Sequence, residues 1–123
     1  LISSSKGNSL KGLHNIKKGF NNEVNYFVNE DCKNFNETAT EFACQGLELD
    51  FSIICWDNDL LYKNKRWNDI FPNRKAVNSL QLRLNTYRVL LTRARDGMFI
   101  FIPDGRGFDS TYKLLKTIGL LTK

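Results

Sequence analysis

Phe51-Ser52-Ile53-Ile54-Cys55-Trp56 is a hydrophobic run of strand length, the pattern of a strand covered on both faces. It stops at Asp57-Asn58-Asp59, whose side chains favour turns. Downstream, Val77, Leu80, Leu84, Tyr87, Leu91 and Ala94 recur at spacings of three and four, which predicts a helix beginning near Lys75 with one apolar stripe. Arg93 falls nearly opposite that stripe and is expected to point away from the core. Asp96-Gly97 supplies a stop signal, and Met98-Phe99-Ile100-Phe101-Ile102, ended by Pro103, is a second apolar strand. Strand, helix and strand in succession predict an α/β fold, a mainly parallel sheet flanked by helices.

The flanks extend this frame. Leu1-Ile2 followed by three serines reads as the end of a buried strand entering a polar loop, the usual place for a ligand in such a sheet. Residues 6–18 read as irregular or briefly helical, and residues 22–32 as weakly structured. Thr38 to Cys44 reads as a short strand or a strand-like lead into Gln45-Gly46. Residues 63–75, with Trp67, Phe71 and Pro72 among charges, read as an exposed excursion. Asp109 or Ser110 is placed to cap a last helix with Tyr112, Leu114, Leu115 and Ile118 inward, closed by Gly119.

At 123 residues the chain is expected to form one domain. Its hydrophobic and charged shares, 41% and 25%, are those of an ordinary globular protein. A net charge of +5 admits a polyanionic partner without requiring one. Cys32, Cys44 and Cys55 include no CxxC pair and have only His14 as a possible imidazole partner, so no metal site is expected. Free cysteines in apolar runs fit a reducing, cytoplasmic setting. No apolar run has membrane-spanning length and no signal segment opens the chain; a start on Leu1 without Met suggests a fragment of something longer.

Two strings carry the chemistry. In Gln45-Gly46-Leu47-Glu48 the glycine lets backbone approach a ligand, and the carboxylate can accept from a ribose hydroxyl; equally, Glu48 can cap a helix or pair with an arginine. In Thr92-Arg93-Ala94-Arg95 an arginine at a helix end offers fixed donors and a permanent charge to a phosphate, or simply decorates a solvated face. Asp50, Asp57 and Asp59 admit a metal-nuclease reading, with Glu48 joining Asp57 and Asp59 at one point. A polar turn explains the last two without chemistry. His14 reads as a surface side chain. Trp56 and Trp67 read as packing residues, an exposed Trp67 also serving as a stacking platform.

In their order and spacing, TEFACQGLELD, FSIICWDNDLLY and NTYRVLLTRARDGMFIFIP resemble the C-terminal region of a superfamily 1 helicase-like ATPase family related to the helicase half of the Schlafen proteins. The resemblance is strongest from Thr38 to Pro103. It implies a RecA-like second domain that completes an ATP site with an N-terminal RecA-like domain of the same parent, which supplies the phosphate loop and the Mg²⁺ ligand; no GxxxxGK[ST] loop occurs in this sequence. On that likeness Gln45, Gly46 and Glu48 are expected at the nucleotide, Arg93 at the γ-phosphate as an arginine finger and Arg95 at a secondary phosphate contact. Thr40 is expected on a DNA or RNA backbone. Phe42 stands where many such helicases have His, and either stacks on a base or fills core. The fragment alone is expected not to hydrolyse ATP. A domain of another class, a nucleic-acid or protein binding module retaining these motifs as relics, is the alternative.

Overall fold

The leading hydrophobic run becomes the third of six strands in the computed structural model, which describes residues 1–4, 38–105 and 107–119. In chain order the elements are β1 (Ile2–Ser3), β2 (Ala39–Thr40), α1 (Glu41–Cys44), β3 (Leu49–Cys55), β4 (Leu60–Lys63), β5 (Arg66–Asp69), α2 (Ser79–Leu91), β6 (Ala94–Phe101) and α3 (Asp109–Thr117). Four strands form one sheet in the order β2-β1-β3-β6, and every pairing in it is parallel. The mainly parallel α/β architecture read from the sequence is therefore the one observed.

The β3–β6 pair is the spine. Its register starts at Leu49↔Ala94, slips through a bulge, and resumes from Phe51↔Gly97 to Cys55↔Phe101. Alternation then sorts the side chains. Ile54, Met98 and Ile100 face the core built with Tyr87 and Leu90 of α2. Ile54 and Leu90 are fully buried, each contributing roughly 1.5–3 kcal/mol of transfer free energy. The opposite face departs from the expected two-sided burial: Phe51, Phe99 and Phe101 are 52%, 59% and 49% exposed. Phe51 and Phe99 shelter each other instead, with ring centroids 5.2 Å apart. A Cβ on Gly97 would lie 2.6 Å from the Phe51 ring, so this glycine admits a close approach and is no helix stop.

The helix begins later and ends earlier than its stripe suggests. Asn78 caps α2, its side chain accepting from the Gln81 N–H at 2.9 Å, and Val77 is left fully exposed. At the other end the Leu49 N–H donates to the Arg93 carbonyl at 2.8 Å, and Ala94 to Gly97 join the strand β6. Tertiary pairing with β3 thus overrides the local helical period. The lead-in at Thr38 to Cys44 is likewise mostly not strand: two residues pair as β2, and Glu41 to Cys44 turn helical, burying Cys44 in the core.

An antiparallel hairpin, β4–β5, paired from Leu60↔Asp69 to Lys63↔Arg66, begins before the expected excursion of residues 63–75, with Leu60 and Leu61 buried, and takes up its first part. Asn64 and Lys65 turn it with φ of 53° and 61°, the two left-handed positions of a tight hairpin loop. The last helix forms as expected but is rotated: Thr111 and Leu115 are buried, while Tyr112 and Ile118 are 44% and 68% exposed. Its N-cap position is Phe108, without a side-chain cap. The buried Thr111 hydroxyl accepts from the Tyr62 N–H at 2.9 Å, so one turn of α3 is spent on holding the hairpin. The readings for residues 6–18 and 22–32, for His14 and for Cys32 lie outside the described residues. Among those described, no helix is long and apolar enough to cross a membrane.

Candidate functional site

Because all four sheet strands run one way, the sheet has two chemically distinct edges. The two strings singled out in the sequence share the edge where β3 and β6 begin. Gln45-Gly46 forms the turn after α1, with Gly46 at φ 81°, a conformation glycine adopts without penalty. Gln45, Gly46 and Glu48 are exposed, and Leu47-Glu48 leads straight into β3. Thr92-Arg93 leaves α2 and enters β6 beside it. The strings are thus brought together by the parallel ladder.

Arg93 bridges them. It is half-buried, its Nε donating to the Val89 carbonyl at 3.0 Å and its Nη1 to the Leu47 carbonyl at 3.3 Å. Nη2 also donates to the Thr92 hydroxyl at 3.2 Å. A guanidinium has five N–H donors, so this anchoring fixes the fork and leaves capacity at its tip. Arg95 pairs with Asp50 at 2.6 Å, both side chains more than half exposed, an ion pair of small energetic weight that further ties the start of β6 to β3. Asp50 is accordingly engaged with an arginine.

At the other edge, where the strands end, lies a cluster that sequence reasoning missed. Ser4 follows β1, and Asp57 and Asp59 follow β3; all three are buried. Arg83 reaches them from α2, its Nη1 3.2 Å from the Asp59 carboxylate and donating to the Ser4 hydroxyl at 3.2 Å. Its Nε lies 3.7 Å from Asp69 of the hairpin. Ser4 and Tyr87 both donate to Asp59, the phenol at 2.6 Å, and the Asp57 N–H donates to the Tyr87 oxygen at 3.1 Å. Burial, reinforced by Asp59, pushes the Tyr87 phenol well above its ordinary range. Burial likewise raises the Cys55 thiol. The available signal was Arg83 itself, a charge three residues after Leu80 and four before Tyr87, hence on the apolar stripe of α2.

The remaining candidates separate. Thr40 ends β2 at this second edge and is half-buried. Phe42 is 63% exposed, so it does not fill core. Glu48 and Asp57 flank β3 at opposite ends, with seven strand residues between them at about 3.3 Å each. They do not converge as a metal-nuclease site requires, and among the described residues no group of three His, Cys, Asp or Glu is placed to hold a metal ion. Trp56 is a packing residue, its Nε1 donating to the Leu60 carbonyl at 2.8 Å, with Trp67 stacked on it at 5.7 Å.

Set beside known proteins, residues 15–104 match the family described as Schlafen group 3, DNA/RNA helicase domain. Neither a curated protein nor a solved structure matches the chain.

Proposed function

The chain belongs to the Schlafen group 3 DNA/RNA helicase domain family, and from that membership we propose that it is the second RecA-like domain of an ATP-dependent protein acting on nucleic acid. ATP with Mg²⁺ sits between this domain and a first RecA-like domain that carries the phosphate loop. Gln45, Gly46 and Glu48 meet the nucleotide, Glu48 at the sugar. Arg93 completes the site as an arginine finger at the γ-phosphate, and Arg95 adds a secondary contact. Thr40 and Phe42 meet the polynucleotide, the exposed Phe42 ring stacking on a base. Mg²⁺ is held by the first domain and the phosphates. A cytoplasmic setting accompanies this reading.

The observation that carries it is the junction of the two strings at one sheet edge, with the Arg93 fork anchored on the Leu47 carbonyl. An arginine finger works by arriving with its charge already oriented, so that no reorganisation is needed as charge develops on the transferring phosphoryl group. The same anchoring favours a second reading, a binding module in which Arg93 is only a clasp between two strings.

Steady-state ATP turnover separates the two. With this chain joined to a phosphate-loop domain, Arg93→Ala is expected to lower turnover by about a thousandfold or more, and the chain alone should show none. Undiminished turnover in the variant would establish the clasp.

A further inference from the structure

We propose that the tip of the β4–β5 hairpin, Lys63, Lys65 and Arg66, is a binding site for the phosphodiester backbone of a nucleic-acid strand. The inference rests on the reading of this chain as a domain that acts on nucleic acid, and adds where the strand is held.

Three observations carry it. The first is charge: Lys63, Lys65 and Arg66 are all exposed, and among the described residues none of them has a carboxylate partner in an ion pair. Exposed cations with no carboxylate partner among the described residues keep condensed phosphate charge as a strong counterpart.

The second is the way the tip is held. The Asn68 side-chain amide donates to the Arg66 carbonyl at 2.9 Å and to the Lys63 carbonyl at 3.2 Å, closing the loop from inside. Lys65 sits at φ 61°, where a left-handed conformation costs a side-chain-bearing residue about 1–2 kcal/mol and glycine almost nothing. A lysine kept at the position glycine suits best is backbone strain that points to a use for its side chain. Cations on a rigid turn also lose less conformational entropy on meeting a phosphate than cations on a free loop.

The third is position. The hairpin leaves the sheet where β3 ends, and the Lys63 ammonium lies against Gly107 in the segment that follows β6, 2.9 Å from where a Cβ would stand. This is the edge on which Thr40 ends β2, opposite the edge of Glu48 and Arg93. A strand held by the hairpin here does not compete for the nucleotide edge.

The test is fluorescence anisotropy of labelled oligothymidylate and oligouridylate with the full chain, at two salt concentrations. Lys63→Ala/Lys65→Ala/Arg66→Ala is expected to weaken binding of at least one oligonucleotide by about tenfold or more and to lower the salt slope by roughly two to three. Circular dichroism should report an unchanged fold, since all three side chains are exposed. Should the triple variant not fold, Arg66→Ala alone is expected to lower the salt slope by about one. Arg74→Ala/Lys75→Ala, on the exposed loop after β5, should change affinity by less than about twofold, separating a local site from net charge. Binding that ignores the hairpin substitutions overturns the site but leaves a nucleic-acid partner standing. No binding of either oligonucleotide, or hairpin-dependent adsorption to phosphatidylserine vesicles in its place, overturns both; neither outcome touches Arg93, which ATP turnover judges separately.

Discussion

The Leu49 N–H donates to the Arg93 carbonyl at 2.8 Å, and the Arg93 guanidinium returns to the Leu47 carbonyl at 3.3 Å. One arginine therefore holds the other string through both its main chain and its side chain. The parallel register Leu49↔Ala94 makes this possible, because it sets the beginnings of two distant strands side by side.

Arg93→Lys separates charge from fork. A lysine keeps the cation but cannot donate to the Val89 and Leu47 carbonyls as a planar pair. Joined to a phosphate-loop domain, the variant is expected to lose about a thousandfold in ATP turnover while losing only about 1 kcal/mol in urea unfolding. Wild-type turnover from the lysine variant would remove the arginine-finger role.

Arg83 should matter far more to stability than any exposed arginine. Arg83→Met leaves Asp59, fully buried, without its cation, and a cost of roughly 3–5 kcal/mol is expected from denaturant melts. Arg83→Met/Asp59→Leu should cost less than Arg83→Met alone, since it removes the uncompensated charge as well. A double variant less stable than the single one would contradict that account.

Stability should fall in alkali, with an assignable cause. Tyr87 is raised well above 10.0 by burial and then by Asp59, so above about pH 10 the unfolded chain releases its proton first and gains ground. The contribution is whole below that pH and is lost as pH rises through the folded value. Tyr87→Phe should flatten the decline above about pH 10, although it removes the donor to Asp59. Cys55, raised from 9.0 chiefly by burial, should start an earlier decline that Cys55→Val removes. Urea midpoints from neutral pH upward read both; an unchanged alkaline slope in both variants would count against these assignments.

Lys65→Gly should stabilise the chain by about 1 kcal/mol, by relieving the left-handed backbone. The thermal midpoint should rise accordingly. A lower midpoint would mean that the lysine stem packs in a way its exposure does not suggest.

Gly97→Ala should destabilise by roughly 1–3 kcal/mol, because the new methyl meets the Phe51 ring in a packed strand pair. Phe51→Leu in the same chain should recover part of the loss. Gly46→Ala, where a Cβ meets nothing within 4 Å, should cost only the backbone penalty of about 1–2 kcal/mol.

The parallel sheet was legible because it rests on strong local signals, apolar runs of strand length with a helix between them, whereas a shared place for the two strings was implied only by the family resemblance. The helix ends were not. Ala94 continues the helical period, yet its backbone pairs with Leu49, and a ladder between distant strands leaves no trace in a local window. The hairpin escaped for a related reason, since Asn64-Lys65 lacks the glycine that usually announces such a turn. Arg83 was hidden as one charge among apolar neighbours on a helix. Its partners Ser4, Asp59 and Asp69 come from three separate segments, which only the fold gathers.

The stitched pair β3–β6 has a mechanical consequence. With Glu48 and Arg93 leading into neighbouring strands that share backbone hydrogen bonds, neither can advance or retreat without the other. Any molecule meeting this edge therefore encounters two backbones tied to each other rather than two independent loops. A backbone shift at one is passed to the other through the Leu49–Arg93 hydrogen bond.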